Sequence, residues 1–319
     1  MRAIYLGLCA TALAATVMAQ EFPTRPVKIV VPYPPSGNVD ITARTIAPAL
    51  GDALGQPVVI ENRAGAGGTI GTGAVIKSPA DGYALVLGSS ATITAGPAVY
   101  KQPPYDPFKD LVAIGAIQLA PIVLTVAPKT PVSSYAEFVA RARAHPGQVT
   151  IASAGNGSSN HLAIELLMRQ ADLKLLHVPY KGSGPALTDL IGSQVESMMD
   201  QLTASIGHIR EGRIRAIAIA SRKRSPDLPD VPTLDELGVK GYEASTFTGL
   251  FAPAATPLPV IETLAAALRK TMANATVRER FRTMGVEVMD MPRAEFAAYV
   301  RVDYEKWLKL AREANIVIE

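Results

Sequence analysis

The chain has 319 residues, of which 48% are hydrophobic and 18% charged, with 31 basic side chains against 28 acidic ones. This regular apolar content excludes a disordered chain, and a net charge of +3 leaves no electrostatic footprint for nucleic acid. The length favours about two domains, and a single cysteine excludes a disulfide framework.

Arg2 is followed by an apolar run from Ala3 to Val17, and Val17-Met18-Ala19 precedes Gln20. A short positive start, an apolar stretch and small residues before the junction predict a secretory signal peptide over residues 1–19, cleaved after Ala19, and hence export to the periplasm. The run is too short for a membrane span, which takes about 20 apolar residues. Cys9 lies inside it, with Leu6-Gly7-Leu8 putting a bulky leucine where a lipid-anchored cysteine needs a small residue. The exported chain is then expected to carry no thiol, and so no thiol nucleophile and no thiolate metal site.

Val27–Tyr33 reads as a buried strand, and Asn38–Leu54 as a helix with Val39, Ala43, Ile46, Leu50 and Leu54 on one stripe. Pro48 inside that helix predicts a kink. Pro57–Asn62, Ala84–Leu87 and Leu111–Leu119 are further strands, with a glycine-rich helix start at Gly67–Lys77. From Ile122 the alternation restarts. Strands are expected at Ile122–Val126, Val149–Ala152, Leu175–Val178, Val195–Met199 and Ile214–Ala220. Helices are expected at Ser134–Ala144 (with Ser133 as N-cap), Ser158–Arg169, Pro185–Ile191 and Thr203–Arg210. Arg222–Pro232 is a charged, proline-rich surface stretch. Thr246–Ala252 is a strand, Pro259–Met284 a helical region, and Pro292–Ala314 a helix whose Phe296, Val300, Tyr304, Trp307 and Ala311 form a core-packing stripe.

This alternation predicts an α/β protein whose sheets are mostly parallel and flanked by crossover helices. There are two such sets. Nesting the second inside the first makes residues 20–120 and 246–319 one lobe and 121–245 the other. The two chain crossings then form a hinge, and the cleft between lobes is the expected ligand site.

Three loops lead from a strand into a helix, where backbone N–H groups favour an anion. The first, Tyr33-Pro34-Pro35-Ser36-Gly37-Asn38, offers side-chain hydrogen-bonding groups on Ser36 and Asn38, or else an ordinary N-cap. The second, Arg63-Ala64-Gly65-Ala66-Gly67-Gly68-Thr69-Ile70-Gly71, departs from a dinucleotide fingerprint at Ile70, and no acidic residue ends the next strand. Its glycines allow close backbone approach, for packing or toward a ligand. The third, Ser153-Ala154-Gly155-Asn156-Gly157-Ser158-Ser159-Asn160-His161, puts Ser158 and His161 three residues apart, with His161 either a site residue or a satisfied helix residue. A serine hydrolase would need the G-x-S-x-G elbow and an acid for His161, and neither is evident. Asp200, ending its strand, can cap the next helix, accept from a ligand or hold a water. His145, His161, His177 and His208 are scattered without metal-ligand spacing.

The run Val27-Lys28-Ile29-Val30-Val31-Pro32-Tyr33-Pro34-Pro35 with Asp40, Ala43 and Arg44 resembles the opening of the Bug proteins, substrate-binding components of tripartite tricarboxylate transporters. Gly55–Arg63 with the glycine loop, Pro79-Ala80-Asp81-Gly82-Tyr83, His177–Gly182, Pro185-Ala186-Leu187 and Gly249–Pro253 are similar to its later signatures, in order along the whole exported chain. The resemblance implies a two-lobed Venus-flytrap fold of the type II-like periplasmic binding proteins. It also implies a small organic carboxylate held between the lobes, often through backbone N–H groups and waters. Carried onto this chain it suggests Tyr33, Pro35, Ser36 and Asp40, then Ser89, Ser90 and Thr92. The second lobe offers Ala154, Ser158, His161 and Asp200, and the returning strand Phe247 and Thr248. Ser36 stands where the family usually has glycine, which narrows the pocket or adds a hydrogen bond. The expected partners are the carboxylate and the integral-membrane transporter subunits, with no nucleic acid, cofactor, metal or catalysis, and the protein is expected to act as a monomer. A binding protein that signals to a membrane kinase and a secreted α/β hydrolase are the alternatives.

Overall fold

The computed structural model describes residues 22–314 and 317, so Cys9 and the expected signal peptide and its junction lie outside the described residues. In chain order the elements are β1 (Val27–Val31), α1 (Asn38–Leu54), β2 (Val58–Asn62), a 3₁₀ turn (Ala66–Gly68), α2 (Thr69–Ile76), β3 (Ala84–Ser89), α3 (Ser90–Ile93), α4 (Ala95–Val99) and α5 (Pro107–Asp110). There follow β4 (Leu111–Val126), α6 (Tyr135–Ala144), β5 (Thr150–Ser153), α7 (Ser159–Gln170), β6 (Leu176–Pro179), α8 (Ser183–Ile191), β7 (Ser197–Gln201), α9 (Leu202–Arg210) and β8 (Arg215–Ile219). The chain ends with β9 (Ser245–Pro253), α10 (Leu258–Met272), α11 (Ala275–Thr283), β10 (Glu287–Val288) and α12 (Arg293–Ala314).

One sheet runs β2-β1-β3-β9-β4-β10 and the other β6-β5-β7-β4-β8. The expected parallel pairing holds where a crossover helix joins neighbours, at β1–β2, β1–β3, β5–β6 and β5–β7. It does not extend to β4 and β9. These strands carry the chain out of the first sheet and back, so they pair antiparallel with each other and with β3, β7, β8 and β10. Both sheets are therefore mixed. The two strands expected over 111–126 are one strand of 16 residues, and Pro121 continues it, in register with Ser245.

Each sheet has its own core. Val39, Ala43, Ile46, Leu50 and Leu54 of α1 pack with Ile261, Leu264 and Leu268 of α10 against β1, β3 and β9. The stripe on α1 thus performs the burial that its spacing predicts, and the helix continues through Pro48 as one element. On the opposite face of that sheet lie Val75 of α2 and Phe296 and Val300 of α12. A second core gathers Ile122, Leu124, Phe138, Ile151, Leu167 and Met199. The far half of α12 packs Trp307 and Ala311 against Leu162 of α7 as well as Ala95 and Val99 of α4, so this helix touches both bodies. Ser134, not Ser133, caps α6: its Oγ accepts the Glu137 N–H at 3.2 Å, while Ser133 binds the Glu137 carboxylate. The helical region after Pro259 is broken at Asn274, whose side chain caps α11.

Candidate functional site

The loop after β1, the ends of β3 and β7, and the loop after β5 meet around a cavity of about 30 Å³, room for roughly a water or two. Tyr33, Asn38, Ser89, Ser158, Asn160 and Gln201 are among its lining residues, and no lysine or arginine reaches it. Four helices of eight residues or more begin here, α1, α7, α8 and α9, the last with Gln201 as its N-cap. The N-cap of α1 is Gly37 and that of α8 is Gly182, neither of which has a side chain to offer the first-turn N–H groups. Neither Ser36 nor Asn38 takes the capping role, so the positive end of α1 is presented to the cavity by Gly37, Asn38 and Val39. Opposite stands α7, capped by Ser158, with Ser159 and Asn160 on the cavity wall.

On the first side, Tyr33 Oη donates to the Gly67 carbonyl at 3.2 Å and lies 3.2 Å from Ser89 Oγ. Burial pushes its phenol up to about 12, so it stays a neutral donor. Ser36 sits at φ 69°, a left-handed conformation costly for a side-chain-bearing residue. Asp40 holds it there. The carboxylate accepts the Ser36 N–H at 2.9 Å, Arg44 Nε at 3.0 Å and Asn62 Nδ2 at 2.8 Å. Burial works to raise this carboxyl, but the Arg44 guanidinium and the Ser36 and Asn62 donors outweigh it and hold it below the usual range. With its oxygens so engaged, Asp40 braces the loop and is not part of the cavity wall.

Of the other expected residues on this side, Ser89 lines the cavity and Ser90 and Thr92 do not. Thr92 Oγ1 accepts the Ser89 N–H at 3.1 Å in a capping box, and Ser90 Oγ accepts the Phe247 N–H at 3.1 Å, tying β9 to α3. Phe247 turns its ring to the far face of the sheet, 5.7 Å from Phe296. Strand alternation explains this, since its neighbour Thr246 is the residue of β9 that reaches the cavity. Thr248 is buried in register with Ser89. Pro35 stands outside the wall, whereas Pro34 lines it.

On the second side Ala154 and Ser158 line the cavity. Ser158 Oγ donates to the Gly155 carbonyl at 2.6 Å and accepts the His161 N–H at 3.2 Å. The His161 ring is turned elsewhere: its Nδ1 accepts the Gly157 N–H at 3.2 Å and it stacks on His177 at 4.2 Å. Asp200 does not end its strand, nor does it cap α9, whose N-cap is Gln201. It lies behind the wall, fully buried, accepting Asn160 Nδ2 at 2.9 Å and Ser183 Oγ at 2.6 Å on one oxygen and Ser205 Oγ at 3.3 Å on the other. Burial pushes its carboxyl up to about 6, against the pull of the Ser183 and Asn160 hydrogen bonds.

The sequence reading missed the rest of this network as site residues. Gln201 Nε2 donates to Asn160 Oδ1 at 2.6 Å and to Ser159 Oγ at 3.1 Å, and Thr246 Oγ1 donates to Ser159 Oγ at 2.8 Å. Ser159 and Asn160 were within reach of a reading, as first-turn residues of a helix that follows a strand.

The two sides meet through glycines. A Cβ on Gly182 would fall 2.8 Å from Pro34 Cδ, one on Gly157 2.9 Å from Tyr100 Oη, and one on Gly67 2.9 Å from the Asn156 carbonyl oxygen. Elsewhere the glycine loop serves packing within its own side: a Cβ on Gly71 would fall 2.5 Å from the Arg63 carbonyl oxygen.

Residues 42–316 match the family model of the tripartite tricarboxylate transporter family receptor, TctC. BugT of Bordetella pertussis is 37% identical over 313 residues, covering 98% of this chain and 96% of BugT. Two solved structures from Rhodopseudomonas palustris are similar throughout. One is Rpa4515 with adipate (TM-score 0.88, 33% identity, 93% of this chain and 99% of that one). The other is MatC with bound malate (TM-score 0.87, 34% identity, 90% and 99%). With residues 42–316 matched to the family and two mixed sheets closing on an interlobe cavity, the chain belongs to the TctC family of transporter receptors, the solute-binding proteins that include the Bug proteins.

Proposed function

We propose that this protein captures a small organic carboxylate in the interlobe cavity and delivers it to the membrane subunits of a tripartite tricarboxylate-type transporter. The observation that carries the reading is the uncapped start of α1 facing the start of α7 across a wall with no lysine or arginine. An anion there is stabilised by two converging helix ends and by hydroxyl and amide donors. This also accounts for a nearly neutral anion receptor. The dicarboxylates bound by Rpa4515 and MatC support the same class of ligand.

The residues proposed to meet the ligand are Tyr33, Asn38, Ser89, Ala154, Ser158 and Thr246, with Asp40 and Asp200 bracing the two walls from behind. Residues 20–120 with 246–319 form one moving lobe and 121–245 the other, with the β4–β9 pair as the hinge. Ligand binding favours the closed arrangement by shifting the population toward it. The protein works as an exported monomer, cleaved after Ala19, and binds without chemistry. Ser158 gives its proton to a carbonyl, and the His161 ring is not its partner, so a nucleophile–base pair is not assembled at the wall.

The test is calorimetric titration of the ligand-stripped protein with mono-, di- and tricarboxylates and their amides. A carboxylate class that binds while its amide does not is the expected result. Binding of the neutral amides with equal affinity would sink the reading.

A further inference from the structure

Three buried polar atoms on the first side of the cleft have no hydrogen-bond partner among the described residues: Asn38 Nδ2, Gln118 Oε1 and Thr248 Oγ1. Their residues are 3%, 0% and 0% exposed. They belong to one place. Gln118 on β4, Thr248 on β9 and Ser89 on β3 are in register across three adjacent strands, so their side chains rise from the same face. Ser89 lines the cavity, and so does Asn38, which stands over this row from the start of α1. Gln118 and Thr248 lie fully buried beside these lining residues, as the layer beneath the first half of the site.

The orientation of both amides follows from Thr42. Its hydroxyl donates to the Asn38 carbonyl at 2.7 Å, so its oxygen can only accept from Gln118. That turns the Gln118 NH₂ toward Thr42, and the same NH₂ donates to Asn38 Oδ1 at 2.9 Å. In this arrangement the Asn38 NH₂ and the Gln118 carbonyl are left over; flipping either amide alone would set like groups against each other, and flipping both again leaves one donor and one acceptor. What remains is a donor from Asn38, an acceptor from Gln118 and a hydroxyl from Thr248. A carboxylate cannot satisfy Gln118, and an ammonium cannot satisfy Asn38. A hydroxyl satisfies both, giving its proton to Gln118 Oε1 and accepting from Asn38 and Thr248.

We infer that Asn38, Gln118 and Thr248 form a subsite that reads a hydroxyl on the carbon chain of the ligand, so that the preferred ligands are hydroxylated carboxylates. This rests on the carboxylate reading above and names the substrate class within it. Buried groups built to pair with a hydroxyl are left unpaired when it is absent, which is the stronger form of discrimination.

The experiment compares matched acids differing by one hydroxyl, malate against succinate and 2-hydroxyglutarate against glutarate, by calorimetric titration of the ligand-stripped full protein. The readout is the ratio of the two affinities, in wild type and in Thr248→Val, which keeps the shape of threonine without its hydroxyl, and Gln118→Met. The wild-type ratio is expected to be about tenfold or more in favour of the hydroxy acid, and to fall to within about threefold in either variant. Equal affinity of hydroxy and plain acids in wild type overturns the subsite and leaves the carboxylate reading standing. A preference that persists undiminished in both variants also overturns it, assigning the three atoms to a buried water. Failure of every acid to bind overturns the carboxylate reading itself. A variant that does not fold, seen by circular dichroism, is replaced by Thr248→Ala, judged by the same ratio.

Discussion

The two walls of the cleft are built from the same residue types and finished differently. On the second side Ser159, Asn160, Ser183 and Gln201 are joined to one another through Asp200 and the Gln201 amide, and Ser158 is engaged by the Gly155 carbonyl and the His161 N–H. On the first side the fixed charges, Asp40 and Arg44, face away from the cavity, and the layer beneath it keeps buried polar atoms to spare. A saturated network resists rearrangement, because any shift leaves a buried group unpaired. The second wall is thus a rigid template and the first is the wall that discriminates.

The contrast can be broken most forcefully where the walls touch. Gly157→Ala puts a methyl against Tyr100 Oη and is expected to weaken carboxylate binding roughly hundredfold, about 2.8 kcal/mol. Because Gly157 also sits at φ 75°, the exchange strains the loop by itself. Adding Tyr100→Ala removes the clash and not the strain, so partial recovery of affinity in the double variant, by calorimetry, isolates closure. No recovery would show that the seam is not what limits binding.

Next in size is Asp40→Ala, which leaves the Ser36 N–H without its acceptor and the Asn62 amide with only the Tyr33 carbonyl. A loss of about 2 kcal/mol in urea unfolding is expected, together with weaker binding through a loosened Tyr33–Gly37 loop. Unchanged stability would mean that the loop holds its shape without the brace.

A pH profile tests the saturated wall. Asp200 binds its proton more tightly in the folded protein, at about 6 against an ordinary 3.8, so its contribution makes stability fall as pH rises through that window. His177 is held down to about 4 against 6.5, by burial and then by the neighbouring His161, so its contribution makes stability fall as pH drops through that window. The two slopes oppose each other between about pH 4 and 6. Asp200→Asn is expected to uncover the His177 slope, with urea midpoints declining toward pH 4 more steeply than in wild type. Superimposable profiles would show that Asp200 does not titrate there. The smallest effect belongs to Ser36→Gly, which relieves the left-handed backbone while adding freedom to the unfolded chain. The net gain should stay within about 1 kcal/mol by thermal melting. A loss would mean that the serine side chain contributes contacts of its own.

Much of the architecture is legible in the sequence because it is written in short-range periodicity. The stripe on α1 and the strand–loop–helix order single out the starts of α1 and α7, both at the cavity, whereas the glycine loop before α2 is not among the lining residues and the start of α8 was not singled out. The expectation of two strands, Leu111–Leu119 and Ile122–Val126, divides β4 across the gap that holds Pro121, whereas Pro121 is paired opposite Ser245 within one continuous strand. The site's side-chain chemistry was legible only in part. Gln201 meets Ser159 and Asn160, and Thr246 meets Ser159, across gaps that no local spacing encodes. Gln118 stands between apolar neighbours in β4, and its partner Asn38 belongs to another motif. Phe247 and Thr248 were placed at the site by resemblance: the Phe247 ring lies on the other face of the sheet, while Thr246 lines the cavity and Thr248, two residues on, shares its face.

The position of β9 also governs how the molecule must be assembled. It lies between β3 and β4, in the interior of the first sheet, yet it is made after every strand of the second. Until it arrives, β3 has an open edge and the bond from the Phe247 N–H to Ser90 Oγ has no donor. A chain emerging from its N-terminus therefore completes last the lobe that it began first, and carries an unfinished sheet through most of its synthesis.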